Sequence, residues 1–125
     1  MVVFVFDRYG AIAERLVSLI NDSVKNISSH YCTNLEQGLQ LLQHSTPDIV
    51  LMDMKFPGNR TQELIKKIKE ANNKAIIVCL FIVPDSLLQE ESLKNGADYA
   101  MDKYMEFEKI PGLVAQIVNK KLIRH

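Results

Sequence analysis

Two aspartates and a lysine are the side chains of this 125-residue chain whose positions could do chemistry together. Asp53 ends the apolar run Ile49-Val50-Leu51-Met52, Asp7 follows Val2-Val3-Phe4-Val5-Phe6, and Lys103 follows the short segment Asp98 to Asp102. Runs of this kind read as buried strands. Each charged residue then stands at the C-terminal end of a different strand, where open parallel sheets place their ligand sites. Two acids and one base drawn from three strands suit a phosphoryl or a metal site. Arg8, beside Asp7, stands where a second acid would make more chemical sense.

The elements that must position these groups alternate along the whole chain. The first strand, Val2 to Phe6, is followed by a helix with Ile12, Leu16, Leu19 and Ile20 on one face. A more polar strand around Ile27 to Cys32 reads as a sheet edge. Leu35, Leu39 and Leu42 mark a second helix, which Thr33 or Asn34 can cap. Thr46-Pro47-Asp48 punctuates the chain before the third strand, and Pro57-Gly58-Asn59 is a loop after it. Thr61, Leu64, Ile65 and Ile68 give a third helix. Ala75 to Val83 is the most apolar strand. Pro84-Asp85-Ser86 breaks it and starts a fourth helix running through Leu93, which Asn95-Gly96 terminates. Asp98 to Asp102 is a fifth strand. Ile110, Leu113, Val114 and Ile117 face a fifth helix, with Pro111 tolerable only near its start.

The expected fold is α/β, a doubly wound five-stranded parallel sheet of order 2-1-3-4-5, (βα)5 and flavodoxin-like, with residues 1–125 forming one domain. Composition agrees with a globule: 47% hydrophobic and 24% charged residues, with 15 basic and 15 acidic side chains cancelling. That balance argues against a nucleic-acid or membrane-surface binder. The basic C-terminal Lys120-Lys121-Leu122-Ile123-Arg124 suits the end of a helix dipole. Cys32 and Cys79 fall on strands that the topology separates by two others, beyond disulfide reach. They read as buried thiols in a reducing compartment. The three histidines are scattered, with no metal-ligand spacing. The N-terminus lacks signal-peptide features, and no apolar stretch would span a bilayer. A cytoplasmic location is expected.

At these residues the chain resembles the receiver domain of response regulators in two-component signalling. Pro47-Asp48-Ile49-Val50-Leu51-Met52-Asp53-Met54-Lys55-Phe56-Pro57-Gly58 looks like the family's phosphoacceptor segment. Asn95-Gly96-Ala97-Asp98-Tyr99-Ala100-Met101-Asp102-Lys103 is similar to its Gly-Ala-to-Lys segment. The resemblance implies that Asp53 accepts a phosphoryl group in a phosphorelay and that Lys103 contacts it as a point charge. It also implies that Asp7, Asp53 and the backbone carbonyl of Lys55 hold Mg²⁺. The implied partners are a sensor histidine kinase or phosphotransfer protein. A downstream protein or a second copy would dock on the face of the fourth helix, fifth strand and fifth helix, where Tyr104 and Phe107 are candidate exposed aromatics. Such a domain is a signalling module rather than an enzyme.

Four positions depart from the family pattern. Arg8 takes the place of an acid that normally touches the metal. Phe81 falls where a Ser or Thr normally meets the phosphoryl oxygen, and Phe cannot donate that bond. Ala100 takes the aromatic switch position, with Tyr99 one place away and facing the other side of the sheet. Lys103-Tyr104 replaces a Lys-Pro pair. With Arg8 turned inward, Asp7, Asp53, Lys103 and Arg8 sum to zero. An Arg–carboxylate contact at ~4 Å brings roughly 4 kcal/mol of Coulomb attraction before desolvation at an effective dielectric near 20. Arg8 is therefore expected to replace the metal and bridge Asp53; the alternative is a guanidinium in solvent with its stem packed on the pocket rim.

Two further functional classes compete with a phosphorylated receiver. One is a pseudo-receiver, an interaction module independent of phosphorylation and Mg²⁺, which Arg8, Phe81 and Ala100 favour. The other is a nucleotide- or flavin-binding domain, which the loop Asp7-Arg8-Tyr9-Gly10-Ala11 disfavours because it lacks a hydroxyl- and Gly-rich phosphate cradle.

Overall fold

A computed structural model of the chain describes residues 1–56, 58, 60–81, 90, 93–94 and 96–123. Strands β1 (Val2–Phe6), β2 (Ser28–Cys32), β3 (Ile49–Asp53), β4 (Ile76–Phe81) and β5 (Tyr99–Asp102) form one sheet in the order β2-β1-β3-β4-β5. Every pairing is parallel. Helices α1 (Gly10–Ser23), α2 (Leu35–His44), α3 (Thr61–Ala71) and α4 (Ile110–Ile123) cover it. The doubly wound order expected from the sequence is the one observed. The expected fourth helix and the end of the fourth strand lie largely outside the described residues; Glu90, Leu93 and Lys94 are helical. The expected fifth helix is α4.

Strand alternation builds two cores. Val3, Val5, Ile49, Leu51, Val78 and Leu80 point to the α1–α4 side, where they meet Leu16, Ile20, Val114 and Ile117. Phe4, Phe6, Val50, Met52, Ile77 and Cys79 point to the other side, against Leu64, Ile65 and Ile68 of α3. The side chains of β1 and β3 from Val3 to Phe6 and from Ile49 to Met52 are all fully buried, so these strands need no polar face. Burying a side chain such as Leu51 contributes roughly 1.5–3 kcal/mol, and a charge there would disrupt the sheet that carries both aspartates. β2 is the polar edge, with Ser28, His30 and Tyr31 exposed.

Local signals also hold. Asn34 caps α2 by accepting the Gln37 N–H at 2.9 Å. Cys32 and Cys79 are free and buried on β2 and β4, with β1 and β3 between them. Gly96 has φ +112°, and a Cβ there would meet the Ile65 side chain at 3.2 Å, so both conformation and space favour glycine. A 3₁₀ turn, Phe107–Lys109, leads into α4, where the sequence pattern shows no element of its own. Phe107 is half-buried against the α1–α4 core and lies under the Arg15 guanidinium, so it is not the exposed aromatic expected. Tyr104 is exposed. Met52, Met54 and Met101 fill the core, but Met105 is 83% exposed and fills no gap.

Candidate functional site

Parallel register brings the charged groups to one rim. Phe6 pairs with Met52, which sets Asp7 level with Asp53 on the neighbouring strand. Phe81 pairs with Asp102, and the Phe81 carbonyl accepts the Lys103 N–H at 2.7 Å, which fixes the start of the lysine side chain. Asp102 and Glu106 shape the loop beyond. The Asp102 carboxylate accepts the N–H groups of Tyr104 and Met105 at 3.0 and 2.9 Å, and Glu106 accepts the Asp102 N–H at 2.9 Å. Their signal in the sequence is only that of an aspartate able to bond N–H groups two and three residues on.

Asp7, Asp53 and Lys103 are the buried charged side chains among the described residues, each no more than 1% exposed. Lys103 Nζ forms an ion pair with Asp7 Oδ2 and stands 3.7 Å from Asp53 Oδ2. Lys103 is thus no solvated loop lysine, the commonest fate of an isolated lysine. Asp7 Oδ1 accepts the Tyr9 N–H at 2.9 Å, and Asp53 Oδ1 accepts the Lys55 N–H at a long 3.5 Å. Asp53 Oδ2 is buried with no hydrogen-bond donor among the described residues. Burial pushes the Asp53 carboxyl above the ordinary aspartate range; Lys103 pulls it down and Asp7 pushes it up, with smaller downward pulls from the Lys55 N–H and Arg8.

Arg8 does not bridge Asp53. Its side chain is exposed, its guanidinium lies 5.3 Å from the centre of the Tyr9 ring, and it donates to the Tyr9 hydroxyl at 3.2 Å. The physical reason is that Lys103 already stands within 3.7 Å of Asp53, and turning Arg8 inward would desolvate a second cation that can instead keep its water on the Tyr9 ring. Phe81 is 3% exposed and packs in the α3-side core. Ala100 is half-buried against the same core, while Tyr99 packs on the opposite face, as the alternation requires. Lys55 has an exposed side chain, and its carbonyl accepts the Gly58 N–H at 3.3 Å. Residue types and spacing do not single out Tyr9, yet its ring centre lies 5.7 Å from Lys103 Nζ.

The donor set fits a hard divalent cation in kind. Two buried carboxylates converge on one rim, each with an oxygen that accepts no hydrogen bond among the described residues, and such oxygens suit Mg²⁺. Two carboxylates and one ammonium leave a formal charge of −1 in the pocket. No group of three or more His, Cys, Asp and Glu side chains able to hold a metal occurs among the described residues, so a bound ion would also need backbone or water oxygens.

A parallel doubly wound sheet with two acids and a lysine on its C-terminal rim defines the receiver class of signalling domain. The family model for the response regulator receiver domain matches residues 3–115. The nitrate/nitrite response regulator protein NarL of Escherichia coli is 32% identical over 78 residues, which cover 62% of this chain and 36% of NarL. The chain therefore spans about a third of that relative. Sporulation initiation phosphotransferase F of Bacillus subtilis is 25% identical over 123 residues, covering 96% of this chain and 94% of that one. Among solved structures, the signal receiver domain of a DNA-binding response regulator from Colwellia psychrerythraea superposes with a TM-score of 0.85 at 16% identity, covering 95% of this chain and 98% of that one. An atypical orphan response regulator with a phosphorylation-independent regulatory mechanism superposes with a TM-score of 0.69 at 18% identity, covering 82% of each chain. The chain belongs to the response regulator receiver family of two-component signalling.

Proposed function

We propose that residues 1–125 act as one receiver domain in which Asp53 is the phosphoacceptor. The observation that carries this reading is the state of Asp53 Oδ2: buried, without a hydrogen-bond donor among the described residues, and 3.7 Å from a lysine ammonium. That oxygen can attack a phosphodonor. One O–P bond forms as the donor's bond to phosphorus breaks, and the leaving group departs with the electron pair. Lys103 meets the negative charge on the transferred phosphoryl oxygens. Asp7, Asp53 and the Lys55 carbonyl would hold Mg²⁺, which when bound neutralises phosphoryl charge. Asp7 keeps Lys103 oriented, and the Phe81 carbonyl fixes the backbone from which Lys103 reaches.

The phosphoryl source would be a sensor histidine kinase or a phosphotransfer protein, in keeping with the similarity to a sporulation phosphotransferase. Output would pass to a downstream protein or a second copy through the face that includes β5 and α4. The domain is a signalling module, not a conventional enzyme, and its proposed location is the cytoplasm; no described helix is long and apolar enough to cross a membrane.

A second reading, a pseudo-receiver that works without phosphorylation or Mg²⁺, is favoured by Phe81, whose ring offers no hydroxyl at the end of β4 and packs in the core instead. Ala100 supports it by leaving no aromatic ring at that position of β5 to respond to Asp53. Intact mass after incubation with acetyl phosphate and Mg²⁺ separates the two. Gain of one phosphoryl group in the parent but not in Asp53→Asn supports the acceptor. No gain, together with no Mg²⁺ binding by calorimetry, supports the pseudo-receiver.

A further inference from the structure

Lys103 passes a nearer acid to reach a farther one. It leaves the sheet after β5, and the order β2-β1-β3-β4-β5 puts the strand of Asp53 two places away and the strand of Asp7 three. Each place adds about 4.8 Å. Yet the ammonium lies closer to Asp7, with Asp53 Oδ2 at the longer ion-pair distance of 3.7 Å. The hydrogen bonds of the two carboxylates do not explain the choice. Asp7 Oδ1 has the closer backbone donor, Tyr9 N–H at 2.9 Å against Lys55 N–H at 3.5 Å for Asp53, so Asp53 is the needier acceptor.

What the Asp7 side has and the Asp53 side lacks, among the described residues, is the ring of Tyr9. Its centre is 5.7 Å from Lys103 Nζ, within the reach over which an aromatic face attracts a cation, and that attraction is stronger when the cation is desolvated, as this fully buried ammonium is. Tyr9 is otherwise hard to account for. It occupies the N-cap of α1, where Ser, Thr, Asp or Asn would serve, and its side chain makes no cap bond. It is 48% exposed, so it is not there to fill the core. Its ring is nevertheless held from both ends: the backbone N–H is tied to Asp7, and Arg8 both lies over the ring and donates to its hydroxyl.

We propose that Tyr9 is a positioning residue for Lys103: its ring face, steadied by Arg8, holds the buried ammonium closer to Asp7 than to Asp53. On this view Arg8 acts on the pocket through Tyr9 rather than by touching Asp53.

The test reads which acid holds Lys103, in the unphosphorylated full chain without added metal. The side-chain ammonium resonance of Lys103 is followed by NMR as Asp7→Asn and Asp53→Asn are introduced, each in the parent, Tyr9→Phe and Tyr9→Leu backgrounds. In the parent and in Tyr9→Phe, Asp7→Asn shifts the resonance more than Asp53→Asn does. In Tyr9→Leu, which keeps bulk but has no ring, the order reverses. Should Tyr9→Leu fail to fold, Tyr9→Gln, also ringless, takes its place with the same expectation. A parent-like order in the ringless variant, or a reversed order in Tyr9→Phe, overturns the proposal. Loss of packing at Tyr9 alone would lower stability in all backgrounds without reversing the order. The readout uses no phosphoryl group, so failure of Asp53 to accept one would leave this result standing.

Discussion

The loop after β1 and the last position of β3 carry the same residue at the same level of the sheet, and they use it differently. Asp7 and Asp53 are both 1% exposed, and each has one oxygen bonded to the N–H two residues on. Lys103 stands closer to Asp7 than to Asp53, which it reaches at 3.7 Å; the second oxygen of each acid has no hydrogen-bond donor among the described residues. The sequences that follow make the difference. Arg8 and Tyr9 assemble an aromatic wall beside the lysine, whereas Met54 packs into the α3-side core and the Lys55 side chain leaves for solvent. One acid holds the pocket's cation closely, and the other, at a longer ion-pair distance, is the proposed phosphoacceptor. An aspartate in this rim is therefore defined by its loop more than by its strand.

Removing the shared cation should break the comparison most strongly. Lys103→Met leaves two buried carboxylates with no cation, and breaking a buried pair in this way costs roughly 3–5 kcal/mol. Urea denaturation of the metal-free protein should show that loss, with added Mg²⁺ recovering part of it if the two acids bind the ion. Asp7→Asn should cost less, roughly 1–3 kcal/mol, because Lys103 has a second carboxylate 3.7 Å away on which to settle. Equal losses for the two variants would mean that Lys103 cannot move between the acids.

The opposite sign is expected at the other loop. Asp53 holds its proton more tightly in the folded protein than in the unfolded chain, chiefly through burial. Between the ordinary value of about 3.9 and the raised folded value the native state binds more protons, so stability falls as pH rises through that interval. Above it the ionised carboxylate is a standing cost. Asp53→Asn should accordingly be more stable than the parent at neutral pH without metal, by roughly 1 kcal/mol, and the two should converge in acid. Thermal unfolding followed across pH in the presence of a chelator measures both points. A variant less stable than the parent at neutral pH would show that Lys103 is bound mainly by Asp53.

Much of this architecture is legible in the amino-acid sequence. The continuous apolar runs of β1 and β3, the polar run of β2 and the helical repeats fit the observed strand order, and strand ends alone place Asp7, Asp53 and Lys103 on one rim. The alternation that sends Tyr99 to one core and Ala100 to the other is the same period-two rule. What the sequence hides is the choice among near-equal partners. Charge counting brings Arg8 inward because it sums Lys103 with the other charges and cannot show that its ammonium already pairs with both acids. It also gives no weight to an aromatic ring next in the chain, on which a guanidinium can lie without losing its water. The 3₁₀ turn before α4 is equally invisible, since Phe107, Glu108 and Lys109 carry no periodic signal over three residues.

Arg8 gives the smallest effect, and its smallness is the informative part. If its guanidinium bridged Asp53, Arg8→Ala would leave a buried carboxylate unpaired and lose several kcal/mol. With Arg8 exposed and resting on Tyr9, the loss is that of one exposed cation–aromatic contact and a hydrogen bond at the surface, under about 1 kcal/mol. The Asp53 carboxyl should move slightly further up, because Arg8 is the weakest of the influences pulling it down. Urea denaturation should therefore give a near-parental midpoint for Arg8→Ala, against a clear drop for Lys103→Met. A drop of similar size in both would place the arginine in the pocket after all. It would also remove the contrast between the two loops, since Asp53 would then have a cation of its own.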